Sequence, residues 1–288
     1  MSGTVLVCGA GLMGHGIGQV CAAAGWQVRL YEPEVGRAHG GRDRIAGNLE
    51  RAVAKGRLEA AERERALDRI TVAEGLAGGA AGVDLVIEAV FEDEAVKRTL
   101  WTELDRLAPA AAIFASNTSS ISITRLATAV APERRARFVG LHFFSPVPVM
   151  PLIELTRGLE TDDATEAACR ALAAELGKSV IVSRDRPGFI VNRILMPFLG
   201  EAMQAYEEGV GTAEDIDTGA KLGLHHPMGP LELADFIGLD VCLHVFEVLH
   251  EAFGHAYLTP PAVLRQLVEA GHLGQKTGRG FYTYPRGD

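Results

Sequence analysis

Gly9-Ala10-Gly11-Leu12-Met13-Gly14 follows directly on the apolar run Val5-Leu6-Val7-Cys8, and that adjacency restricts the fold more than any other feature of the chain. A G-x-G-x-x-G motif alone carries little weight. After a strand and at the mouth of a helix it builds a dinucleotide site. The first glycine permits a tight turn, the second lets the backbone approach a pyrophosphate, and the third lets helix and strand pack closely. Free N–H groups at the helix start then receive phosphate charge. The motif assigns Gly9, Gly11, Leu12, Met13 and Gly14 to the cofactor. Glu32, 23 residues after Gly9, closes the second strand candidate. A carboxylate there accepts hydrogen bonds from a ribose and repels a 2′-phosphate. No arginine is adjacent, so NAD is favoured over NADP. The competing reading is a glycine-rich turn in another α/β fold, against which strand, helix and acid together weigh.

Strand and helix signals alternate beyond this motif. Val5–Cys8, Trp26–Tyr31, Arg69–Val72, Val83–Val90 and Ala111–Ala115 read as strands. Ile17–Ala24, Val35–Lys55, Ala60–Asp68 and Glu94–Leu107 read as helices. Phe138–His142 and Leu152–Leu155 continue the pattern, Asp163–Leu176 is amphipathic, and Ser179–Ser183 is the last convincing strand. Such alternation predicts a doubly wound, mostly parallel sheet of Rossmann type, with helices on both faces. After the polar turn Arg184–Gly188 only helical periodicity remains, over Phe189–Glu208, Ala213–Leu222, Leu231–Ile237, Val241–Phe253 and Ala262–Ala270. The expected organisation is an α/β domain over 1–185 and an all-helical C-terminal domain over 186–288.

Composition narrows the function. A net charge of −9 argues against a general polyanion binder, so no nucleic-acid partner is expected. No stretch approaches the ~20 apolar residues that cross a bilayer. Cys8, Cys21, Cys169 and Cys242 show neither C-x-x-C nor metal-ligand spacing. They read as reduced thiols, with no metal, in a cytoplasmic protein. The N-terminus lacks the charged and apolar regions of a secretory signal.

Three further segments carry polar chemistry. Ser116-Asn117-Thr118-Ser119-Ser120 follows a strand, at the edge where α/β sheets bind ligands, and reads equally as a ligand cluster or a helix cap. His142, in Leu141-His142-Phe143-Phe144-Ser145, also ends an apolar strand, and a histidine there moves protons near neutral pH. A satisfied core histidine is the plainer reading. Glu154 is a charge inside the apolar run Pro151–Leu155; it is either a water-facing edge charge or a buried partner for His142. Asn192, near the start of the first C-terminal helix, is either a hydrogen-bond donor to a ligand or a surface position.

Taken together, GAGLMGHGIGQV, VIEAVFEDEAVK, FASNTSSISI, LHFFSPVPVMPLIEL, RPGFIVNR, EDIDTGAKLGLHHPMGPLELADFIGLD and GQKTGRGFY resemble the 3-hydroxyacyl-CoA dehydrogenase family, nearly end to end. The resemblance is particularly to the short, single-function 3-hydroxybutyryl-CoA dehydrogenases. The resemblance implies NAD-dependent interconversion of (S)-3-hydroxyacyl and 3-ketoacyl thioesters. It makes His142 the catalytic base and Glu154 its partner, with Ser119 and Asn192 on the substrate oxygen. It adds Glu92, Lys97, Ser119, Ser145 and Lys276 as cofactor contacts, and Asn48, Lys55 and Ser119 as CoA contacts. It also implies a homodimer formed through the helical domain. Ser145 stands where the family commonly has asparagine, beside the nicotinamide. Two alternatives share the fold. One is the same chemistry on an acyl carrier protein, docked on Arg134-Arg135-Ala136-Arg137 or around Arg42 and Arg44. The other is a non-catalytic NAD-binding structural protein.

Overall fold

A computed structural model describes residues 3–285. Residues 1–2 and 286–288, at the outer ends of the two expected domains, lie outside it. Contacts within the chain separate it into two units, Met1–Arg186 and Pro187–Asp288.

The first unit runs β1 (Thr4–Cys8), α1 (Leu12–Ala23), β2 (Gln27–Tyr31), α2 (Val35–Ala54), α3 (Ala60–Asp68), β3 (Ile70–Val72), α4 (Leu76–Ala80), β4 (Leu85–Glu88), α5 (Glu94–Leu107), β5 (Ile113–Ser116), α6 (Ile123–Ala127), α7 (Pro132–Arg135), β6 (Phe138–Phe143), β7 (Leu152–Arg157), α8 (Asp163–Glu175) and β8 (Ser179–Arg184). One eight-stranded sheet results, in the order β3-β2-β1-β4-β5-β6-β7-β8. Chain order reverses on either side of β1, which pairs with both β2 and β4. The crevice outside the strand ends at that point is where such sheets take ligands. Val5, Leu6, Val7 and Cys8 have no exposed surface, as expected for a strand covered by helices on both faces.

The last two strands depart from expectation. Leu152–Leu155 was placed in the β-α-β alternation, yet no helix separates it from β6. Residues 144–151 contain Pro146, Pro148 and Pro151 and are too few for a parallel crossover, which takes a dozen or more. β7 therefore runs antiparallel to β6, and β8 parallels β7.

The second unit is helical: α9 (Val191–Glu207), α10 (Ala213–Thr218), α11 (Pro230–Ile237), α12 (Leu239–Phe253) and α13 (Ala262–Glu269). Periodicity starts the first of these at Phe189, but Gly188 (φ 76°) and Phe189 (φ 47°) take left-handed backbone, which delays the helix to Val191. The helix expected over Ala213–Leu222 widens into a π-turn at Gly219–Gly223. Two buried carboxylates then fasten the chain's last segment. Asp217 accepts the Leu231 and Glu232 N–H groups and the Tyr282 hydroxyl at 2.8–2.9 Å. Asp235 accepts the Phe281 and Tyr282 N–H groups and the Tyr284 hydroxyl at 2.9–3.0 Å. Among the described residues, no helix is long and apolar enough to cross a membrane.

Candidate active site

The glycine loop shows why its residues are small. Gly9 has φ 97°, and a Cβ there would lie 2.4 Å from the Ala89 carbonyl oxygen. A Cβ on Gly14 would lie 1.7 Å from the Gly9 oxygen, so α1 packs on the loop only with glycine. The helix starts at Leu12, earlier than the glycine-poor stretch Ile17–Ala24 suggests, and Gly11 is its N-cap. No side chain caps it, no acid occupies the first turn, and open space surrounds the Gly11 Cα. Leu12 and Met13 thus belong to an uncapped helix N-terminus, the arrangement that accepts a pyrophosphate. At the end of β2, Glu32 accepts the Ala10 N–H at 2.8 Å, which puts its carboxylate beside the loop. Arg44 donates to the Ala10 carbonyl at 2.7 Å from the other side. Loop, helix end and acid fit a dinucleotide without a 2′-phosphate.

Behind this loop lies a charged cluster. Lys97 on α5 is 1% exposed and forms ion pairs with Glu88 and Glu92. Glu88, at the end of β4, also accepts the Ser116 hydroxyl (2.6 Å) and the Val90 N–H (3.0 Å). Burial pushes its carboxyl above the ordinary range, against the pull of Lys97 and Ser116. At Glu92 the balance reverses. Burial raises its carboxyl, but the Lys97 charge and hydrogen bonds from Thr118 and Ser119 outweigh it and hold the group below its ordinary value. One Glu92 oxygen gathers the Thr118 hydroxyl (2.5 Å), the Ser119 N–H (3.0 Å) and the Ser120 hydroxyl (3.1 Å). The Ser116–Ser120 segment is therefore a shaped loop tied to Glu92. Lys97 was expected to touch the cofactor. In the structure it is enclosed, and Glu92 is the more exposed of its two carboxylate partners.

His142 and Glu154 are direct register partners across β6 and β7. Residues opposite one another on antiparallel strands point to the same face. The His142 Nδ1 lies 3.2 Å from Glu154 Oε2, both buried, with Glu154 0% exposed. The edge-charge reading of Glu154 fails because β8 covers β7. The Phe144 ring sits 4.4 Å from the imidazole and restricts water there. Asn117 fixes the end of β6 by accepting the Phe143 N–H at 2.8 Å. Such a pair is a proton acceptor with an orienting carboxylate.

The other expected residues are distributed over several elements. Ser145 is half-buried three residues beyond His142. On α2, Asn48 donates to Gln19 (3.1 Å) and accepts from Arg51 (2.5 Å), while Lys55 is the exposed C-cap two turns on. In the helical unit Asn192 occupies the first turn of α9, and Lys276 pairs with Asp240 at 2.5 Å. Of the arginines considered for protein docking, Arg137 is exposed and Arg134 and Arg42 are engaged internally. Arg134 is 7% exposed and binds Asp105 at 2.5 Å, and Arg42 donates to the Ile70 carbonyl. Glu88 and Asn117 were not singled out from the sequence. Their signal was position, since Glu88 ends β4 and Asn117 directly follows β5 within a segment already marked.

Known proteins share this fold. The family described as 3-hydroxyacyl-CoA dehydrogenase, NAD binding domain, matches residues 4–186, and the 3-hydroxyacyl-CoA dehydrogenase C-terminal domain matches residues 188–284. A 3-hydroxybutyryl-CoA dehydrogenase from Bradyrhizobium diazoefficiens is 52% identical over 96% of this chain and 94% of its own length. The human mitochondrial hydroxyacyl-coenzyme A dehydrogenase is 42% identical over 97% of this chain and 90% of its own. The crystal structure of an (S)-3-hydroxybutyryl-CoA dehydrogenase from Ralstonia eutropha superposes with a TM-score of 0.94 at 44% identity, covering 99% of this chain and 100% of that one. The chain belongs to the 3-hydroxyacyl-CoA dehydrogenase family and is an NAD-dependent oxidoreductase.

Proposed function

We propose that this enzyme interconverts (S)-3-hydroxyacyl-CoA and 3-ketoacyl-CoA, with a short acyl chain such as 3-hydroxybutyryl. The observation that carries the reading is the buried His142–Glu154 pair at the ligand edge of the sheet. Gly9, Gly11, Leu12, Met13 and Gly14 hold the pyrophosphate, and Glu32 the adenosine ribose. Glu92, Lys97 (through Glu92), Ser119, Ser145 and Lys276 complete the cofactor site. Bound NAD supplies the hydride acceptor. With its Nδ1–H directed at Glu154, His142 has its lone pair on Nε2, where it takes the 3-hydroxyl proton during oxidation. Glu154 stabilises the imidazolium that forms. Ser119 and Asn192 donate to the substrate oxygen, whose negative character grows in the transition state. In reduction the imidazolium returns the proton to the ketone. Asn48 and Lys55 lie along the path of the CoA. The internal engagement of Arg134 takes one arginine out of the docking patch considered for a carrier-protein substrate, which supports the CoA thioester.

The test is NADH oxidation followed at 340 nm with acetoacetyl-CoA, beside the same acyl group on a carrier protein. Wild-type enzyme should turn over the CoA substrate. His142→Gln should lose at least ~10²-fold in kcat, the low end for general acid–base catalysis. Wild-type kcat in that variant would sink the mechanism, and preference for the carrier protein would sink the substrate.

A further inference from the structure

Residues 144–151 connect the two members of the proton-handling pair. The segment leaves β6 just after His142 and enters β7 two residues before Glu154. It carries Phe144 against the imidazole and Ser145 beside it. Three of its eight residues are prolines without a backbone donor, so it cannot hold itself in place with a regular ladder.

Two outside anchors fix it. The Val147 side chain, 2% exposed, seats against α1 at Gly16. A Cβ there would lie 2.8 Å from that of Val147, so the contact is as close as glycine allows. In addition the Lys178 ammonium donates to the Val147 carbonyl at 2.7 Å and the Met150 carbonyl at 2.6 Å. The local sequence sends Lys178 there. α8 ends at Glu175, Gly177 takes left-handed backbone (φ 67°), and the Lys178 N–H returns to the Ala173 carbonyl at 2.8 Å. That helix stop turns the chain toward the segment, and the Ser179 N–H bonds the Pro151 carbonyl at 2.7 Å. Burial lowers the Lys178 pKa, as expected of a cation drawn off the surface.

We propose that Lys178 is a positioning residue for the dehydrogenase reaction. By bridging the Val147 and Met150 carbonyls it clamps residues 144–151 against α1, the helix that starts at the glycine loop. It thereby fixes Ser145 and Phe144 relative to both the cofactor and His142. The inference rests on the site reading given above. Lys178 itself touches neither substrate nor cofactor.

Lys178→Met keeps most of the aliphatic stem and removes both donors. Displacing a reacting group by about 1 Å costs up to ~10²-fold. Lys178→Met should therefore lower kcat by at least ~10-fold and raise the NADH Kd, read by fluorescence titration, several-fold. The KM for acetoacetyl-CoA should stay within about twofold, because the contacts assigned to CoA lie on α2. Lys178→Arg, which retains donors and charge, should recover part of the loss. Wild-type kcat and NADH affinity in Lys178→Met would overturn the proposal. So would equal kinetic losses in Lys178→Met and Lys178→Arg that track a fall in Tm. If Lys178→Met does not fold, Gly16→Ala pushes the same segment away from α1 and should show the same split between kcat and KM. Unchanged kcat there would also overturn it. His142→Gln, assayed in parallel, separates the two claims. An active His142→Gln removes the site reading itself, whereas an inactive one beside a wild-type Lys178→Met removes only the clamp.

Discussion

Glu32 accepts the Ala10 N–H at 2.8 Å and, on the function proposed above, holds the adenosine ribose. A 2′-phosphate would meet its negative charge directly. NADH should accordingly be used at least ~10-fold better than NADPH, since a lost ribose contact and a charge repulsion together exceed the ~1.4 kcal/mol that a decade requires. Glu32→Gln should weaken NADH use and narrow the preference, measured as the ratio of kcat/KM values; an unchanged ratio would refute the assignment. At this scale the sequence was legible where one backbone rule decides the residue. Gly9 and Gly14 are such positions, because a Cβ would enter the Ala89 or Gly9 carbonyl. His142 and Glu154 were each ambiguous alone. What pairs them is strand register, and register depends on the direction of β7. The burial of Lys97 was not legible, because it follows from Glu88, nine positions earlier on another element.

Between elements, the connection after β5 owes its shape to Glu92, whose carboxylate gathers Thr118, Ser119 and Ser120. Its pKa is lowered in the folded state, chiefly by Lys97 and these donors acting against burial. The stability it contributes is therefore fully present above its unfolded value of about 4.3, and is lost as pH falls through the lower folded value. Glu92→Gln should cost about 1–3 kcal/mol at neutral pH, in the range for hydrogen bonds to a charged group. Urea titrations should show the gap from wild type closing below about pH 4; a gap independent of pH would point to packing instead. Long elements were readable because several turns of periodicity accumulate, and α3 and α5 begin and end where the pattern does. By contrast α4, α6 and α7 have only four or five residues each, too few to display a period. The direction of β7 was hidden for another reason. Apolar strands read alike in either sense, and only the missing crossover length marks the reversal.

Across the whole molecule, each unit carries its own core. In the first it gathers around β1, β4 and α1, and in the second around α9 and α12. The helical unit also leaves Ile194, Val210, Leu222 and Leu224 at least 67% exposed, more apolar surface than a lone helical unit needs to show. Association through that unit, the homodimer the family resemblance implies, would cover it. Sedimentation should then give about twice the 30.7 kDa chain mass, and charges placed at Leu222 and Leu224 should shift the population toward the single chain. A persistently monomeric wild type would refute this. The reversal at β7 has a consequence of a different kind. β1 finds β4 only across 80 positions, with Val5 opposite Leu85, whereas His142 meets Glu154 across 12. Every other described strand pair spans a longer stretch of chain than β6 and β7. Closing a short loop costs less entropy and takes less time than closing a long one. On a growing polypeptide the base and its carboxylate can meet within a dozen residues of synthesis, while β1 must wait for some eighty residues before its second neighbour exists. The proposed proton-transfer pair is thus joined by nearby sequence, whereas the second neighbour of the strand that carries the glycine loop is supplied by remote sequence.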